Sequence, residues 1–281
     1  APKAQFAAGQ GYLALKKFEE ATAAFQKFLA TWPNDPLWQQ AQGQVVETAW
    51  QKGRTQLDEK KYDDAIATWE GFLRQFPLSP HCAEVQFAFG AIAYDRGDFP
   101  KAIAEWEKTK NKYGQTEYAS IAALSIARTT EEKVAKTDED IERAVTLYRE
   151  VTTAYPGTQS AYQAAERLQQ MLTKALSIRV DRAYATNEKA LLHVDTRNAK
   201  RLSFRVYRID LEEYFRKKHT IGGVEQIAVE IVKPEQAWEA DVDGYLPYRV
   251  VARDVELPLQ GPGAWILSVS TVSDPEKRET E

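Results

Sequence analysis

The sequence predicts an α+β multidomain protein, in which a right-handed α-solenoid of helical hairpins is followed by a small antiparallel β-sandwich. The first observation is a change of hydrophobic period near residue 176, from the 3.6-residue spacing of helices to the alternation of strands. The second is a set of small, aromatic and proline residues that recurs through the helical half. We therefore expect a repeat array over residues 1–175, a β-sandwich over 176–273 and a polar tail over 274–281.

An alanine recurs through the helical half and is followed four residues later by an aromatic residue. The four pairs are Ala21 and Phe25, Ala65 and Trp69, Ala102 and Trp106, and Ala144 and Tyr148. In the first three blocks a glycine precedes the alanine, at Gly9, Gly53 and Gly90. We expect the glycine and the alanine to meet where the two helices of a hairpin cross, and the ring to fill the gap toward the next hairpin. Because no hairpin can bury its apolar face alone, the units have to stack.

Proline closes the second helix of several blocks, at Pro33, Pro77 and Pro156. The whole pattern is similar to that of tetratricopeptide repeats, and its proline-containing endings look like those of long repeats in bacterial envelope proteins. The steps between the alanines exceed the 34 residues of the family, so we expect longer helices or loops. The fourth block departs from the pattern, because it has no such glycine and residues 135–140 have the composition of an inserted loop. Residues 158–176 are expected to form a capping helix.

The second half alternates apolar and polar residues, as half-buried antiparallel strands do. The clearest runs are Ile178 and Val180; Leu192 and Val194; Leu202, Phe204 and Val206; and Trp265, Leu267 and Val269. Turn-forming dipeptides separate them, including Thr186–Asn187, Gly222–Gly223 and Asp243–Gly244. A short helix is expected at Leu211–Lys218. About seven short strands in this length indicate a small β-sandwich.

Stretches of the second half resemble the first macroglobulin-like domain of bacterial alpha-2-macroglobulins. They are residues 196–198, 202–212, 255–259 and 263–265. The resemblance implies a fibronectin-III-like sandwich in a protein that pairs an N-terminal repeat array with a macroglobulin chain. Members of that family trap proteases with a bait segment and, in many cases, a Cys-Gly-Glu-Gln thioester. Neither is present here, since Cys82 lies in the sequence His-Cys-Ala-Glu.

Composition argues against several other functions. The net charge is −4, which disfavours nucleic acid as the main partner, and there is no apolar run long enough to span a membrane. The only cysteine cannot form an internal disulfide, and the three histidines lack the spacing of metal ligands. No serine elbow, phosphate loop or dinucleotide fingerprint occurs. We therefore expect no enzyme activity, no catalytic residues, no metal and no cofactor.

Binding is the better prediction, because the first helices of tetratricopeptide hairpins line the inner groove of their stack. By the spacing of the family, a protein or peptide partner would meet Phe6, Gln10, Trp50, Arg54, Asp58, Phe87, Tyr94 and Asp95. Aromatic residues with a few polar groups suit an extended peptide or a helix. The alternative is that Phe6, Trp50 and Phe87 pack between hairpins. Arg54 and Asp58 are harder to bury, because a buried charge is costly.

Two functional hypotheses follow. In the first, the chain is the non-catalytic interaction region at the N-terminus of an alpha-2-macroglobulin-like protease trap in the bacterial envelope. In the second, the repeats act as an adaptor that binds a peptide or helix during assembly of envelope or secretion machinery. Both place the protein in the periplasm or another extracytoplasmic compartment. The absence of an initiator methionine fits either a processed signal peptide or a trimmed chain, and the polar end suggests that the native chain continues.

Overall fold

The computed structural model describes residues 2–185, 188–220 and 233–272. The chain forms two compact units, one of residues 1–136 with 142–165 and one of residues 137–141 with 166–281. The helices are α1 (Pro2–Ala14), α2 (Phe18–Thr31), α3 (Trp38–Asp58), α4 (Tyr62–Gln75), α5 (Cys82–Asp95), α6 (Phe99–Lys112), α7 (Glu117–Thr129), α8 (Asp138–Ala154) and α9 (Gln159–Leu172). A π-helical turn, Thr130–Val134, follows α7. The domain boundary predicted after residue 175 stays a prediction.

Consecutive helices from α1 to α7 pack against each other, which makes the first unit a helical solenoid as the sequence predicts. Each hairpin contributes one layer of the core. Phe25 and Phe28 of α2 join Phe6 of α1, and Trp69 and Phe72 of α4 form the next cluster. That second cluster also contains Val85 and Ile92 of α5, so the core is continuous from one hairpin to the next.

The recurring glycines lie where an aromatic ring meets a helix backbone. A Cβ added at Gly53 would lie 2.2 Å from Nε1 of Trp69, and one at Gly90 would lie 2.3 Å from Nε1 of Trp106. Each indole N–H donates to a backbone carbonyl three residues before the glycine, at Trp50 (3.3 Å) and at Phe87 (3.2 Å). The side chain nearest the glycine is therefore the ring, and not the alanine that we expected there.

The recurring alanines are also buried. Ala21, Ala65, Ala102 and Ala144 all have 0% of their surface exposed. Because a larger side chain has no room at these positions, the alanines let the helices of neighbouring layers approach closely. In the fourth block Tyr148 keeps the aromatic position and is fully buried, and its hydroxyl donates to Glu131 in the π-helical turn (2.8 Å).

The part of the second unit that follows α9 contains strands and a short helix. They are β1 (Ala175–Arg179), β2 (Ala190–Arg197), β3 (Arg201–Ile209), α10 (Leu211–Lys218), β4 (Gln236–Asp241), β5 (Val250–Leu257) and β6 (Ala264–Thr271). They form two three-stranded antiparallel sheets, in the orders β1-β2-β5 and β4-β3-β6. The alternating residues Leu192 and Val194 of β2 share one buried cluster with Leu202 and Phe204 of β3.

Several expectations for single elements can be compared with this fold. The capping helix ends earlier than predicted, at Leu172, because β1 begins at Ala175. The inserted loop of the fourth block is shorter than expected, since α8 begins at Asp138. The short helix at Leu211–Lys218 is confirmed. Six strands are described where about seven were predicted. The predicted turns at 186–187 and 222–223 and the polar tail at 274–281 lie outside the described residues.

Candidate functional site

Aromatic and charged side chains meet on the first helices of neighbouring hairpins. Trp50 of α3 stacks on His81, the residue before α5, with ring centroids 4.2 Å apart and planes inclined by 15°. Arg54 lies one helical turn after Trp50, and its guanidinium carbon is 5.3 Å from the centroid of the Trp50 ring. A cation over an indole face is attracted by the negative potential of the ring.

Two carboxylates hold these side chains in place. Arg54 donates to Glu84 of α5 (Nη1–Oε1, 3.3 Å), and Nε2 of His81 lies 3.2 Å from Oε2 of Glu47. Tyr118 of α7 faces the Glu84 carboxylate. Burial, together with the negative charge of Glu84, raises the pKa of the Tyr118 hydroxyl. The resulting Trp50 cluster consists of Glu47, Trp50, Arg54, His81, Glu84 and Tyr118. It joins α3, α5 and α7, and the Arg54 side chain remains 55% exposed.

Of the residues predicted to line a groove, Trp50 and Arg54 contact each other directly in this cluster. Gln10 of α1 and Asp58 at the end of α3 are exposed, as a partner would require, but no contact links them to the Trp50 cluster within the described residues. Asp95 is exposed at the end of α5 and accepts a hydrogen bond from the Tyr62 hydroxyl (3.1 Å).

The predicted aromatic groove residues pack mainly within the stack. Phe6 is 8% exposed and makes edge contacts with Phe25 and Phe28, so little of its ring remains for a partner. Phe87 and Tyr94 are half-buried against Trp106, with centroid distances of 5.9 Å each. Phe87 also contacts Tyr118 (5.8 Å), which connects it to the Trp50 cluster.

Four members of the Trp50 cluster were missing from the sequence prediction: Glu47, His81, Glu84 and Tyr118. A signal for them exists, since Glu47 and His81, Trp50 and Glu84, and Glu84 and Tyr118 are each about one 34-residue repeat apart. In two of these pairs, Glu47 with His81 and Glu84 with Tyr118, the side chains interact directly. The sequence prediction used the spacing of the family within each hairpin, which identifies equivalent positions and not those in contact.

The single cysteine of the chain lies at the start of α5. Cys82 is buried, its Sγ lies 3.1 Å from the Phe76 carbonyl oxygen, and burial raises the pKa of the thiol, so it is a poor nucleophile. Across the residues that the structure describes, no three His, Cys, Asp or Glu side chains are grouped so as to hold a metal ion. None of the described helices combines the length and apolar character needed to cross a bilayer.

Stacked hairpins with glycine-to-ring contacts define the first unit as a tetratricopeptide-type repeat scaffold, a class whose members generally bind proteins. Comparison with protein families supports this class. Residues 3–35 match the tetratricopeptide repeat family, and residues 43–178 match YfiO, a family described as an outer membrane lipoprotein. The helical unit therefore has a YfiO-like repeat fold. No curated protein matches the chain significantly.

Several solved structures are similar to part of this chain. MamA from AMB-1 is 18% identical with a TM-score of 0.34, and the match covers 57% of this chain and 75% of that one. A tetratricopeptide repeat protein from Parabacteroides merdae is 9% identical with a TM-score of 0.38, covering 60% and 59%. PilW, described as a type IV pilus biogenesis factor, is 16% identical with a TM-score of 0.22, covering 60% and 92%. Similarities with such low sequence identities and TM-scores carry no information about function.

Proposed function

We propose that the first helices of the repeat unit form a groove that binds a protein or an extended peptide, with the Trp50 cluster at its centre. The observation that carries this proposal is the state of Arg54, whose side chain is 55% exposed and yet held by Trp50 and Glu84. A side chain that is already ordered loses less conformational entropy when a partner binds. Arginine and tryptophan are also the residue types that dominate binding energy at interfaces.

The other residues predicted to line the groove would contribute to binding in different ways. The exposed Gln10, Asp58 and Asp95 would make polar contacts at the rim, where contacts contribute little energy. The half-buried Phe87 and Tyr94 would form part of the floor. Phe6 supports the groove by fixing α1 against α2, since most of its ring is already covered.

Site-specific crosslinking tests the groove. A photoreactive amino acid at Gln10 or Asp58, introduced in the native bacterium, would capture the partner, whose affinity is then measured with purified proteins. We expect Arg54→Ala to weaken binding about tenfold or more, the size of a typical hot spot. Arg74→Ala is the matched control, because Arg74 is exposed on α4, outside the Trp50 cluster. Equal affinities of the two variants would refute the proposed groove.

We further infer that the second unit is a macroglobulin-like β-sandwich and that the chain is the non-catalytic interaction region of an alpha-2-macroglobulin-like envelope protein. Two facts support this inference. The two sheets share one buried cluster, as the layers of a sandwich do. Leu202, Phe204 and Leu257, which belong to the stretches that resemble the family, all lie in that cluster. The repeats would then position a partner next to a protease-trap scaffold.

An assembly adaptor for envelope machinery is the second candidate, favoured by the match of residues 43–178 to an outer membrane lipoprotein family. Both candidates place the protein in the bacterial envelope, which fractionation of the native cells would test. Incubation of the full-length protein with an active protease separates them. A trap sequesters the protease so that large substrates are spared while small ones are still cleaved. An adaptor leaves both activities unchanged and instead co-purifies with one structural partner.

A further inference from the structure

A second groove lies on a different surface of the repeat unit, away from the Trp50 cluster. It has a volume of about 600 Å³ and is formed by α4, α5 and α6. Phe89 and Ile92 of α5 and Ile66 of α4 provide its apolar lining. Such a groove exceeds one side chain in size, so a segment of a protein could enter it.

One polar side chain of the groove, Gln86 of α5, is almost completely buried and only partly satisfied. Gln86 is 8% exposed, and its Nε2 donates to Oε2 of Glu105 on α6 (2.9 Å). A carboxylate only accepts hydrogen bonds, so the NH₂ group must face Glu105 and the amide oxygen must face away from it. That oxygen has no hydrogen-bond donor within the described residues. The amide oxygen is not sealed inside the protein, so it is open to the groove that Gln86 lines.

Some of the charged side chains that line the groove already have a partner, and others have none among the described residues. Among the lining cations, Lys108 pairs with Glu105 (2.8 Å) and Arg96 pairs with Asp63 (2.9 Å). Glu70 of α4 and Lys101 of α6 make no ion pair within the described part of the chain. The open acceptors of the described lining therefore include the Gln86 amide oxygen, the exposed Glu70 carboxylate and the second carboxylate oxygen of Asp98, whose Oδ1 accepts from the Lys101 backbone N–H.

We propose that this groove binds a protein segment that inserts a lysine or arginine side chain. The aliphatic stem of that side chain packs on Phe89 and Ile92, and its cationic head donates to the Gln86 oxygen and to Glu70. An acidic segment would place its charge beside these acceptors, which disfavours it despite the positive charge of Lys101. This second surface does not depend on the function proposed for the Trp50 cluster.

The side chain itself can serve as the probe. N-acetyl-lysine methylamide and N-acetyl-arginine methylamide are titrated into the whole ¹⁵N-labelled chain, and the side-chain NH₂ resonances of Gln86 are followed by NMR. Their assignment comes from their loss in Gln86→Met. We expect both probes to shift these resonances with saturation in the millimolar range. N-acetyl-norleucine methylamide, which keeps the stem and lacks the charge, should leave them unmoved.

The variant Glu70→Gln tests the charge without disturbing the fold, because Glu70 is exposed. It should weaken binding of the cationic probes about threefold or more, as expected for loss of a charge-assisted contact. Glu20→Gln, an exposed carboxylate on α2, is the matched control and should have no effect. Equal shifts with the norleucine probe, an unmoved Gln86 resonance, or binding of N-acetyl-glutamate methylamide in place of the cations would each overturn the proposal.

Discussion

Adding one methyl group at Gly53 should destabilise the repeat unit, whereas the same change at Gly43 should stabilise it. Both glycines lie inside α3. A Cβ at Gly43 meets nothing within 4 Å, but one at Gly53 would lie 2.2 Å from Nε1 and 2.5 Å from Cδ1 of Trp69. Trp69 is 1% exposed and closely packed, so its ring cannot move aside without displacing the surrounding core.

The magnitude follows from opposing contributions. Replacing glycine by alanine in a helix interior gains roughly 0.5–1 kcal/mol, because the unfolded chain loses freedom. Overpacking a core costs about 1–3 kcal/mol, and displacement of the indole N–H from the Trp50 carbonyl costs about 1 kcal/mol more. We therefore expect Gly53→Ala to lower the free energy of unfolding by about 1–3 kcal/mol and Gly43→Ala to raise it by about 0.5–1 kcal/mol.

Urea denaturation followed by circular dichroism at 222 nm measures the effect, because helices dominate this signal and most of them lie in the repeat unit. A Trp69→Leu background provides the further control, since removal of the ring should make Gly53→Ala far less costly. If Gly53→Ala is as stable as Gly43→Ala in the natural background, the close contact between the glycine and the ring does not control packing. The steric explanation of the repeat would then be wrong.

Three further outcomes are expected. Phe204→Ala should lower the stability of the second unit by about 3–5 kcal/mol, because Phe204 is 1% exposed, and a loss below 1 kcal/mol in thermal unfolding would contradict a shared core. Burial and the charge of Glu84 raise the pKa of Tyr118, so the contribution of Tyr118 to stability is complete below pH 10 and declines as the pH rises through the pKa of the folded state. Tyr118→Phe should remove this decline in urea titrations at alkaline pH. Cys82 should react with iodoacetamide only on unfolding, and rapid labelling of the native protein would show that the start of α5 opens.

Local patterns predicted most of the repeat unit. The spacing of Gly53, Ala65 and Trp69 recurs in the next block, and the structure confirms that all three residues are buried at helix contacts. Such a prediction is possible because neighbouring hairpins interact through positions at constant separations along the chain. Period-2 alternation placed β2 and β3 in the same way, since the faces of a strand differ at every second residue.

The candidate site was harder to predict from the sequence than the fold. The sequence singled out Trp50 and Arg54, but it did not reveal that His81 and Glu84 complete the cluster around them. The reason is that a groove residue is defined by the helix opposite it, and the register between adjacent helices depends on how closely they pack. Phe6 is an example of the opposite error. Its position in the repeat is that of a groove residue, but its ring faces α2.

The sequence by itself determined the class of each half and the positions at which helices meet, because small residues, rings and alternation act over short distances along the chain. The tertiary structure alone decided which polar side chains come together, both around Trp50 and around Gln86. Burial and pairing depend on side chains from separate helices, and those distances are set by packing that no single stretch of sequence contains.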